Sequence, residues 1–378
     1  MLEVILFGSI AVLAYVYAGY PLIVLALGRM FARPVRKGPG LRSVTIIVSA
    51  YNEELHIHDK LVNLQKLDYP PGTWDVIVVS DASDDRTDAI VSAFHAKNVR
   101  LLRVEGRQGK TACQNIAAQA ATGEILLFTD ANTMLAPGTL RSVVRNFNDP
   151  DVGCVCGRLV YVTPGSDATG NGITSYWGYE IALRVAESAI GSLIGVSGSL
   201  YAVRRANYRP IAPDLISDFV IAMDMREQGL RTVIEPEAVC TEEALDEATR
   251  ELSMRIRVGM RSLSAIAAMR RFLNPLRFGS FAWQLWSHKL LRYLSPVFLF
   301  ASITSNLALA LEGRYEWLLL VQAAGFAAGL VGFLPGKVMG NSRLLAQPYY
   351  FLLTNLASAV SLFRFIRGER VVTWRPLR

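Results

Sequence analysis

Four long apolar runs constrain this chain more than any other feature of its sequence. The first run covers residues 4–30 and carries no charged residue before Arg29, and three later runs cover 294–311, 317–334 and about 344–365. About 20 apolar residues in a helix are enough to cross a bilayer. A mean hydropathy of +0.29 and a charged fraction of only 19% are typical of chains with membrane segments. We therefore predict transmembrane helices at both ends of the chain, with a water-exposed domain between them.

Basic residues predict which side of the membrane that domain occupies. Arg29 and further basic residues up to position 37 follow the first run, so the positive-inside rule places the domain in the cytoplasm. The first run is too long for a signal peptide and lacks a basic region before it. The last run is the weakest spanning candidate because it contains Gln347, Pro348 and Asn355. The arginines beyond it favour a cytoplasmic carboxyl terminus, whereas four spans place that terminus outside, so the number of spans stays open.

Strands and helices alternate in the domain between the runs. The predicted strands cover 43–50, 75–81, 99–104, 125–130 and Arg231–Ile234, and the predicted helices cover 54–66, 111–121 and 216–228. Short connections between alternating strands and helices predict an α/β fold with a doubly wound, mostly parallel sheet. Gly123 and Gly229 are expected to end the second and third helices, because glycine is the usual C-terminal cap residue.

Oxygen-bearing side chains lie at or just after the ends of the predicted strands. Glu53, Asp81 and Asp130 follow the first, second and fourth strands, and Asn132 lies two residues after Asp130. The carboxyl edge of an open α/β sheet is where ligands bind. Oxygen ligands suit Mg²⁺ or Mn²⁺, which share their coordination with substrate phosphates. A plain Asx turn is the alternative interpretation of the pair Asp130 and Asn132.

Two charged residues at helix starts each allow two interpretations. Lys110 either meets a phosphate, because helix N-termini favour anions, or is a solvated lysine. The residues around it do not form a P-loop, since Val104 stands where that motif requires glycine. Asp218 either accepts a proton as a general base or caps its helix.

The remaining charged and cysteine residues suggest no further site. Cys154 and Cys156 are interpreted as core residues of an apolar strand, because no second pair completes a zinc site. Residues 243–273 form a basic stretch with apolar positions at helical spacing, which lies either in the membrane interface or on a soluble core. The net charge of +7 is spread beside the apolar runs and no nucleic-acid motif is present, so nucleic acid is not expected as a partner.

Six segments of the domain resemble the motifs of the family-2, GT-A-type inverting glycosyltransferases. They are Val44–Glu54, Val76–Asp88, Gly106–Asn115, Ile125–Thr133, Ser197–Arg204 and Ser217–Gly229. This superfamily contains the cellulose, chitin and hyaluronan synthases and many bacterial exopolysaccharide enzymes. The resemblance extends over about residues 41–262 and implies a GT-A doubly wound mixed sheet in a cytoplasmic domain, with transmembrane and interfacial α-helices.

The resemblance and the apolar runs together predict how the chain is divided. The divisions are a transmembrane helix at 1–33, the catalytic domain at 41–242, amphipathic or interfacial helices at 243–290, transmembrane helices at 291–366 and a basic tail at 367–378.

The resemblance also implies a role for each matched residue. The nucleotide-binding residues are Ala50, Tyr51, Glu53, Asp81, Lys110 and Asp130. Asp130 and Asn132 occupy the metal-binding Asp-x-Asp position, where an amide ligates without a full charge. Asp218 is the implied catalytic base, and Gly198 and Ser199 lie on the acceptor side.

The chain departs from the processive members of this superfamily at the next motif. Those enzymes carry Gln-x-x-Arg-Trp, whereas this chain has Arg255, Arg257 and Arg261 without the tryptophan. The arginines are expected to contact the diphosphate of the donor. The missing tryptophan argues against long-polymer synthesis and agrees with an arginine-rich branch of exopolysaccharide enzymes.

The implied function is inverting transfer of a sugar from a UDP-sugar, with Mg²⁺ or Mn²⁺, to a hydroxyl group. The acceptor is a growing polysaccharide or lipid-linked glycan, and the enzyme is expected in the bacterial inner membrane with its catalytic domain in the cytoplasm. With at most four transmembrane helices the chain has little material to build a secretion channel alone, so a separate protein is a candidate export partner. A single-transfer glycolipid synthase and a catalytically silent subunit are the alternatives. A transporter is excluded because the spans are few and no ionisable residue marks a pathway through them.

Overall fold

The computed structural model describes residues 1–162, 168–243, 248–331 and 343–370 of the chain. Most of the predicted basic tail lies outside these residues, as does the end of the apolar run 317–334. The chain divides into two compact units, each assembled from separate stretches of sequence. The sheet unit comprises residues 27–162 and 184–243, and the helical unit comprises the described parts of 1–26, 163–183 and 244–370.

Eight strands of the sheet unit form one mixed sheet in the order β3-β2-β1-β4-β7-β6-β8-β5. They are β1 Val44–Ala50, β2 Trp74–Asp81, β3 Val99–Val104, β4 Ile125–Asp130, β5 Met134–Leu135, β6 Val152–Val162, β7 Leu200–Arg204 and β8 Arg231–Glu243. β1, β2, β3 and β4 are mutually parallel, and β7 runs antiparallel to both β4 and β6. The predicted mixed sheet and its first four strands are confirmed.

The register of the parallel strands sets the position of the candidate site. Every residue of β1 is buried, as are residues 125–129 of β4, which is expected for parallel strands covered on both faces. Ala50 pairs with Ser80, and Ser49 pairs with Asp130. The carboxyl ends of β1, β2 and β4 therefore lie at one edge of the sheet, and the turns that follow them converge there.

The described helices belong to both units. In chain order they are α1 Leu2–Ala14, α2 Tyr20–Met30, α3 Ile57–Leu64, α4 Thr87–Ser92, α5 Lys110–Ala120, α6 Thr139–Val144, α7 Ala168–Ile190, α8 Ser217–Glu227, α9 Ala248–Ala268, α10 Pro275–Phe278, α11 Ser280–Gln284, α12 Leu291–Leu311, α13 Glu316–Val331 and α14 Arg343–Ile366. π-Helical turns at Tyr15–Gly19 and Leu285–Leu290 join α1 to α2 and α11 to α12. The helices predicted at 54–66, 111–121 and 216–228 are α3, α5 and α8.

One of the two glycines predicted to end a helix has a different role. α5 ends at Ala120, and Ala121 at its C-cap is extended, so the prediction that Gly123 caps this helix is wrong. A Cβ on Gly123 would overlap the backbone nitrogen of Thr45 and lie 2.7 Å from the carbonyl carbon of Val44. Glycine is needed there because the chain passes close to β1. Gly229, in contrast, has a φ of +77° just after α8, as predicted for a helix end.

Three helical stretches of the described chain are long and apolar enough to cross a membrane. They are Leu2–Met30, Ser280–Leu311 and Gln347–Ile366, and Glu316–Val331 is apolar but shorter. The last run was predicted to be the weakest candidate, and it is the least hydropathic of these three stretches. The end of the run 317–334 lies outside the described residues, so the ranking of these two runs stays a prediction. The Asn355 amide donates to the Tyr17 hydroxyl at 3.1 Å and to the Phe351 carbonyl at 2.9 Å. Internal hydrogen bonds of this kind lower the cost of polar residues in apolar helices.

The basic amphipathic helix α9 packs against α14 within the helical unit. A Cβ on Gly259 would lie 2.5 Å from the Ser361 hydroxyl, and that hydroxyl donates to the Ile256 carbonyl at 3.0 Å. Met260 and Leu263 are buried. Protein therefore covers part of the apolar face of α9, as the core-facing alternative predicts, and the interfacial position of this helix stays a prediction.

A buried ion-pair cluster also lies in the helical unit. The Glu180 carboxylate accepts a hydrogen bond from Arg292 at 3.2 Å and lies 3.0 Å from His288 Nε2. Glu180 and His288 are both buried, and the Arg292 guanidinium supplies the opposite charge that a buried carboxylate needs. The predicted span began at residue 294, and the helical stretch Ser280–Leu311 that contains it carries His288 and Arg292 before that point.

Candidate active site

The carboxylate of Asp130 and the ammonium of Lys110 form an ion pair at the carboxyl edge of the sheet. Asp130 is the last residue of β4, and Lys110 is the first residue of α5. The Lys110 side chain is only 17% exposed, and its Nζ also donates to the Gly198 carbonyl at 3.4 Å. The solvated-lysine interpretation of Lys110 is therefore wrong, because the ammonium lies inside the candidate site at the start of a helix.

Asp81 fixes the loop that leads into Lys110. Its carboxylate accepts hydrogen bonds from the backbone N–H of Gln108 at 2.8 Å and of Gly109 at 3.0 Å, and from Arg107 Nε at 3.3 Å. The Arg107 guanidinium stacks over the Tyr51 ring at 3.3 Å. Asp81 itself is 1% exposed. A nucleotide role for Asp81 stays a prediction, and the contacts show that it holds the 107–109 loop in place.

The turns after β1 and β2 are joined by hydrogen bonds. The backbone N–H of Asn52 donates to the Ser83 hydroxyl at 3.1 Å, and the backbone N–H of Glu53 donates to the Thr87 hydroxyl at 2.8 Å. Asn52 and Ala82 both have a φ of 53°, a conformation that is uncommon outside glycine and clusters at functional sites. Ala50 and Glu53, two predicted nucleotide-binding residues, are buried beside these turns.

Asp218 lies close to the Gly198 backbone and to Lys110. A Cβ on Gly198 would lie 2.9 Å from Asp218 Oδ2 and 3.5 Å from Lys110 Nζ. Ile216 occupies the N-cap position of α8, and no side chain makes the capping hydrogen bond, so the interpretation of Asp218 as the helix cap is wrong. Glycine at 198 thus allows the predicted base and the predicted phosphate-binding lysine to approach the same stretch of backbone.

Glu242 belongs to the site, although the sequence did not indicate it. Its carboxylate accepts hydrogen bonds from the Asn132 amide at 2.9 Å and from the Ser199 hydroxyl at 3.2 Å. Burial and the nearby Asp130 raise the pKa of Glu242 to about 7. The predicted strand ended at Ile234, because Pro236 follows it, whereas β8 continues to Glu243.

Lys60 is a second site residue that the sequence did not indicate. It lies on α3 with 0% exposure, and its ammonium donates to the Thr129 hydroxyl at 2.9 Å and to the Thr133 carbonyl. Lys60 therefore holds both ends of the turn that carries Asp130 and Asn132. Burial lowers the pKa of Lys60 from 10.5 to about 7, although the nearby Cys240, Asp130 and Glu242 favour its charged form.

The lowered pKa of Lys60 predicts how the stability of the protein depends on pH. Between about pH 7 and 10.5 the unfolded chain binds a proton on this lysine that the folded chain releases, so stability rises with pH in this window. We expect the wild type to gain stability relative to Lys60→Met by up to about 1.4 kcal/mol per pH unit. Thermal unfolding in detergent at pH 7 and 9 measures this difference. The exposed Lys66→Met is the control, and identical pH dependence in the wild type and Lys60→Met would contradict the prediction.

The oxygen donors of the site fit a divalent cation that completes its coordination on a substrate. Asp130 and Glu242 supply carboxylates, Asn132 supplies an amide, and the buried Thr133 hydroxyl makes no hydrogen bond within the described residues. No group of three or more His, Cys, Asp or Glu side chains in that part of the chain forms a metal site by itself. Mg²⁺ commonly uses one or two carboxylates together with substrate phosphates, so this donor set suits it.

The structure shows what surrounds the arginines predicted to contact the diphosphate and the two cysteines predicted to lie in the core. Arg255 donates to Glu251 at 2.7 Å and to the Tyr350 hydroxyl at 2.5 Å, within the helical unit. Arg261 is buried on the same helix. Cys154 and Cys156 are buried in β6 and form no disulfide, so their interpretation as core residues is confirmed.

Comparison with known proteins agrees with this fold. Residues 45–206 match the model of "Glycosyl transferase family 2". An N-acetylglucosaminyltransferase of Bradyrhizobium elkanii is 33% identical over 128 residues, which cover 32% of this chain and 69% of that protein. A beta-monoglucosyldiacylglycerol synthase of Trichormus variabilis is 28% identical over 261 residues, which cover 62% of this chain and 55% of that protein. The chain thus spans about half the length of several curated relatives that it matches.

A solved structure is similar over nearly the whole chain. The mannosyltransferase PcManGT from Pyrobaculum calidifontis, in complex with GDP-Man and Mn²⁺, has a TM-score of 0.77 and 25% identity, and the match covers 98% of this chain and 100% of that one. The predicted GT-A-type α/β fold with apolar helices is confirmed. The chain belongs to glycosyl transferase family 2.

Proposed function

We propose that this protein is an inverting glycosyltransferase that moves a sugar from a nucleoside-diphosphate sugar to a hydroxyl group at the cytoplasmic face of a membrane. The observation that carries the proposal is that Asp218 Oδ2 and Lys110 Nζ both lie within 3.5 Å of the Cβ position of Gly198, and that Lys110 is paired with Asp130. A carboxylate next to a cationic, oxygen-rich pocket provides the two functions that sugar transfer requires, proton removal and stabilisation of a leaving diphosphate.

Each residue has a defined chemical task in this proposal. Asp218 accepts the proton of the acceptor hydroxyl, whose oxygen attacks the anomeric carbon while the bond to the diphosphate oxygen breaks. Lys110, at the start of the eleven-residue helix α5, contacts the diphosphate. Asp130 and Asn132 would hold Mg²⁺ or Mn²⁺, and such an ion neutralises charge on the leaving group when bound. Diphosphate contacts by Arg255, Arg257 and Arg261, and an acceptor role for Ser199, stay predictions.

UDP-sugars are the proposed donors, and GDP-mannose is a second candidate. The proposal of UDP rests on the motif resemblance at Ala50, Tyr51, Glu53 and Asp81. GDP-mannose is favoured by the similar mannosyltransferase structure, which contains that donor with Mn²⁺.

The proposed acceptor is a lipid-linked glycan or growing polysaccharide at the bacterial inner membrane. Three helices long and apolar enough to span agree with a membrane enzyme. A single-transfer glycolipid synthase is the second candidate function, because one similar protein is named a beta-monoglucosyldiacylglycerol synthase. An export partner and membership of the exopolysaccharide branch are further proposals, and a catalytically silent subunit is the non-enzymatic rival.

Release of the nucleoside diphosphate by the purified protein in detergent tests the proposal. A panel of UDP-sugars and GDP-mannose is supplied with Mn²⁺ or Mg²⁺ and with polyprenyl phosphate, diacylglycerol or an oligosaccharide as acceptor. We expect metal-dependent release with one donor, and a product carrying one added sugar identifies the glycolipid synthase whereas a ladder identifies elongation. Nucleotide binding without release from any combination would favour the silent subunit.

A further inference from the structure

The cation site proposed above carries an unusual charge balance. The motif Asp130-Ala131-Asn132 supplies one carboxylate where Asp-x-Asp supplies two, and that carboxylate already pairs with the Lys110 ammonium. An amide oxygen ligates a divalent cation without neutralising its charge. The motif alone therefore provides one negative charge fewer than an Asp-x-Asp motif at the same place in the fold.

The sheet brings another carboxylate to this motif. β5 pairs antiparallel with β8 so that Met134 lies opposite Thr241 and Leu135 lies opposite Cys240. Continuing this register places Glu242 beside the residues that precede Met134. The contact is direct, since Glu242 Oε1 accepts a hydrogen bond from Asn132 Nδ2 at 2.9 Å.

We propose that Glu242 supplies the negative charge that Asn132 lacks and acts with Asp130 as the second acidic residue of the divalent-cation site. This inference rests on the proposed function. The second oxygen of Glu242 accepts a hydrogen bond from the Ser199 hydroxyl at 3.2 Å, so the same carboxylate also contacts the loop assigned to the acceptor side. The rival explanation is that Glu242 only positions Asn132 and Ser199.

The variant Glu242→Gln separates these explanations, because it removes the charge while its amide keeps one oxygen that accepts from Asn132 and gains an N–H that donates to the Ser199 hydroxyl oxygen. Binding of Mn²⁺ in the presence of UDP, and separately of GDP, is measured from the electron paramagnetic resonance signal of free Mn²⁺. We expect Glu242→Gln to weaken Mn²⁺ binding by about 10-fold or more. The adjacent exposed Glu243→Gln is the matched control and should bind as the wild type does.

Placing a carboxylate at position 132 provides a second test. In the double variant Asn132→Asp with Glu242→Gln, we expect Mn²⁺ binding to recover most of what Glu242→Gln alone loses. Wild-type Mn²⁺ affinity in Glu242→Gln, or no recovery in the double variant while both proteins keep the wild-type melting temperature, would overturn the inference.

The outcome for Asp130→Asn separates this inference from the proposed function. Loss of Mn²⁺ binding in Asp130→Asn but not in Glu242→Gln overturns the role of Glu242 and leaves the proposed function standing. Failure of the wild type to bind Mn²⁺ with either nucleotide overturns both.

Discussion

Asp218→Asn is expected to lower kcat by about 10²- to 10⁴-fold, which is the usual contribution of a general base. Asparagine matches aspartate in size but does not accept a proton from the acceptor hydroxyl at neutral pH. Asp218 is not the cap of α8, so the substitution removes no capping hydrogen bond and should leave the fold intact. Nucleotide affinity should be unchanged, because Lys110 and Asp130 are untouched. Initial rates of nucleoside diphosphate release and calorimetric titration with the nucleotide measure the two quantities.

Asp214→Asn is the control for this experiment. Asp214 is exposed four residues before Asp218, and its substitution removes the same charge without touching Gly198 or Lys110. Wild-type turnover in Asp214→Asn together with its loss in Asp218→Asn would support the assignment. Wild-type turnover in Asp218→Asn would rule out this residue as the base.

Gly198→Ala is expected to lower kcat by about 10²-fold, because displacing a reacting group by even about 1 Å has an effect of that size. The added Cβ would lie 2.9 Å from Asp218 Oδ2, closer than a carbon and an oxygen normally approach. The atom in its way is the far end of a side chain, so the carboxylate moves while the backbone stays in place. We therefore expect a loss of activity with little change in melting temperature.

Gly191→Ala is the matched control for Gly198→Ala. A Cβ at position 191 would meet no heavy atom within 4 Å, so this variant adds the same methyl group without a clash. Activity and melting temperature are measured on both variants. Full activity in Gly198→Ala, or a large fall in its melting temperature, would contradict the argument that this glycine makes room for the Asp218 carboxylate.

The central strands were predictable because their physical signals are local. Ile125–Phe128 is a continuous apolar run, and such a run in a parallel sheet is buried on both faces whatever follows it. β8 was not predictable to its full length. Pro236 lacks a donor for the sheet and normally ends a strand. In the structure it lies where the register with β6 shifts, between the pairs Cys156–Ile234 and Arg158–Val239, so pairing resumes beyond it.

Glu242 and Lys60 could not be assigned to the site from the sequence, because their roles depend on distant contacts. Glu242 lies in the part of β8 beyond the irregularity, and its partner Asn132 is 110 residues away. Lys60 lies on a helix with polar neighbours and resembles an ordinary surface lysine until Thr129 and Thr133 are placed next to it. Asp130 and Asp218 were recognisable because each stands within a segment that resembles a family motif.

Residues 163–183 have a practical consequence for obtaining a water-soluble fragment. Their described part, 168–183, interrupts the sheet unit in sequence but belongs to the helical unit. A fragment cut at 27 and 243 would retain Glu180 and lose His288 and Arg292, leaving an acidic group without the two basic partners that it has in the whole chain. Excising this insertion, and joining its two flanks with a flexible linker, is therefore the better route to crystals of the sheet unit alone.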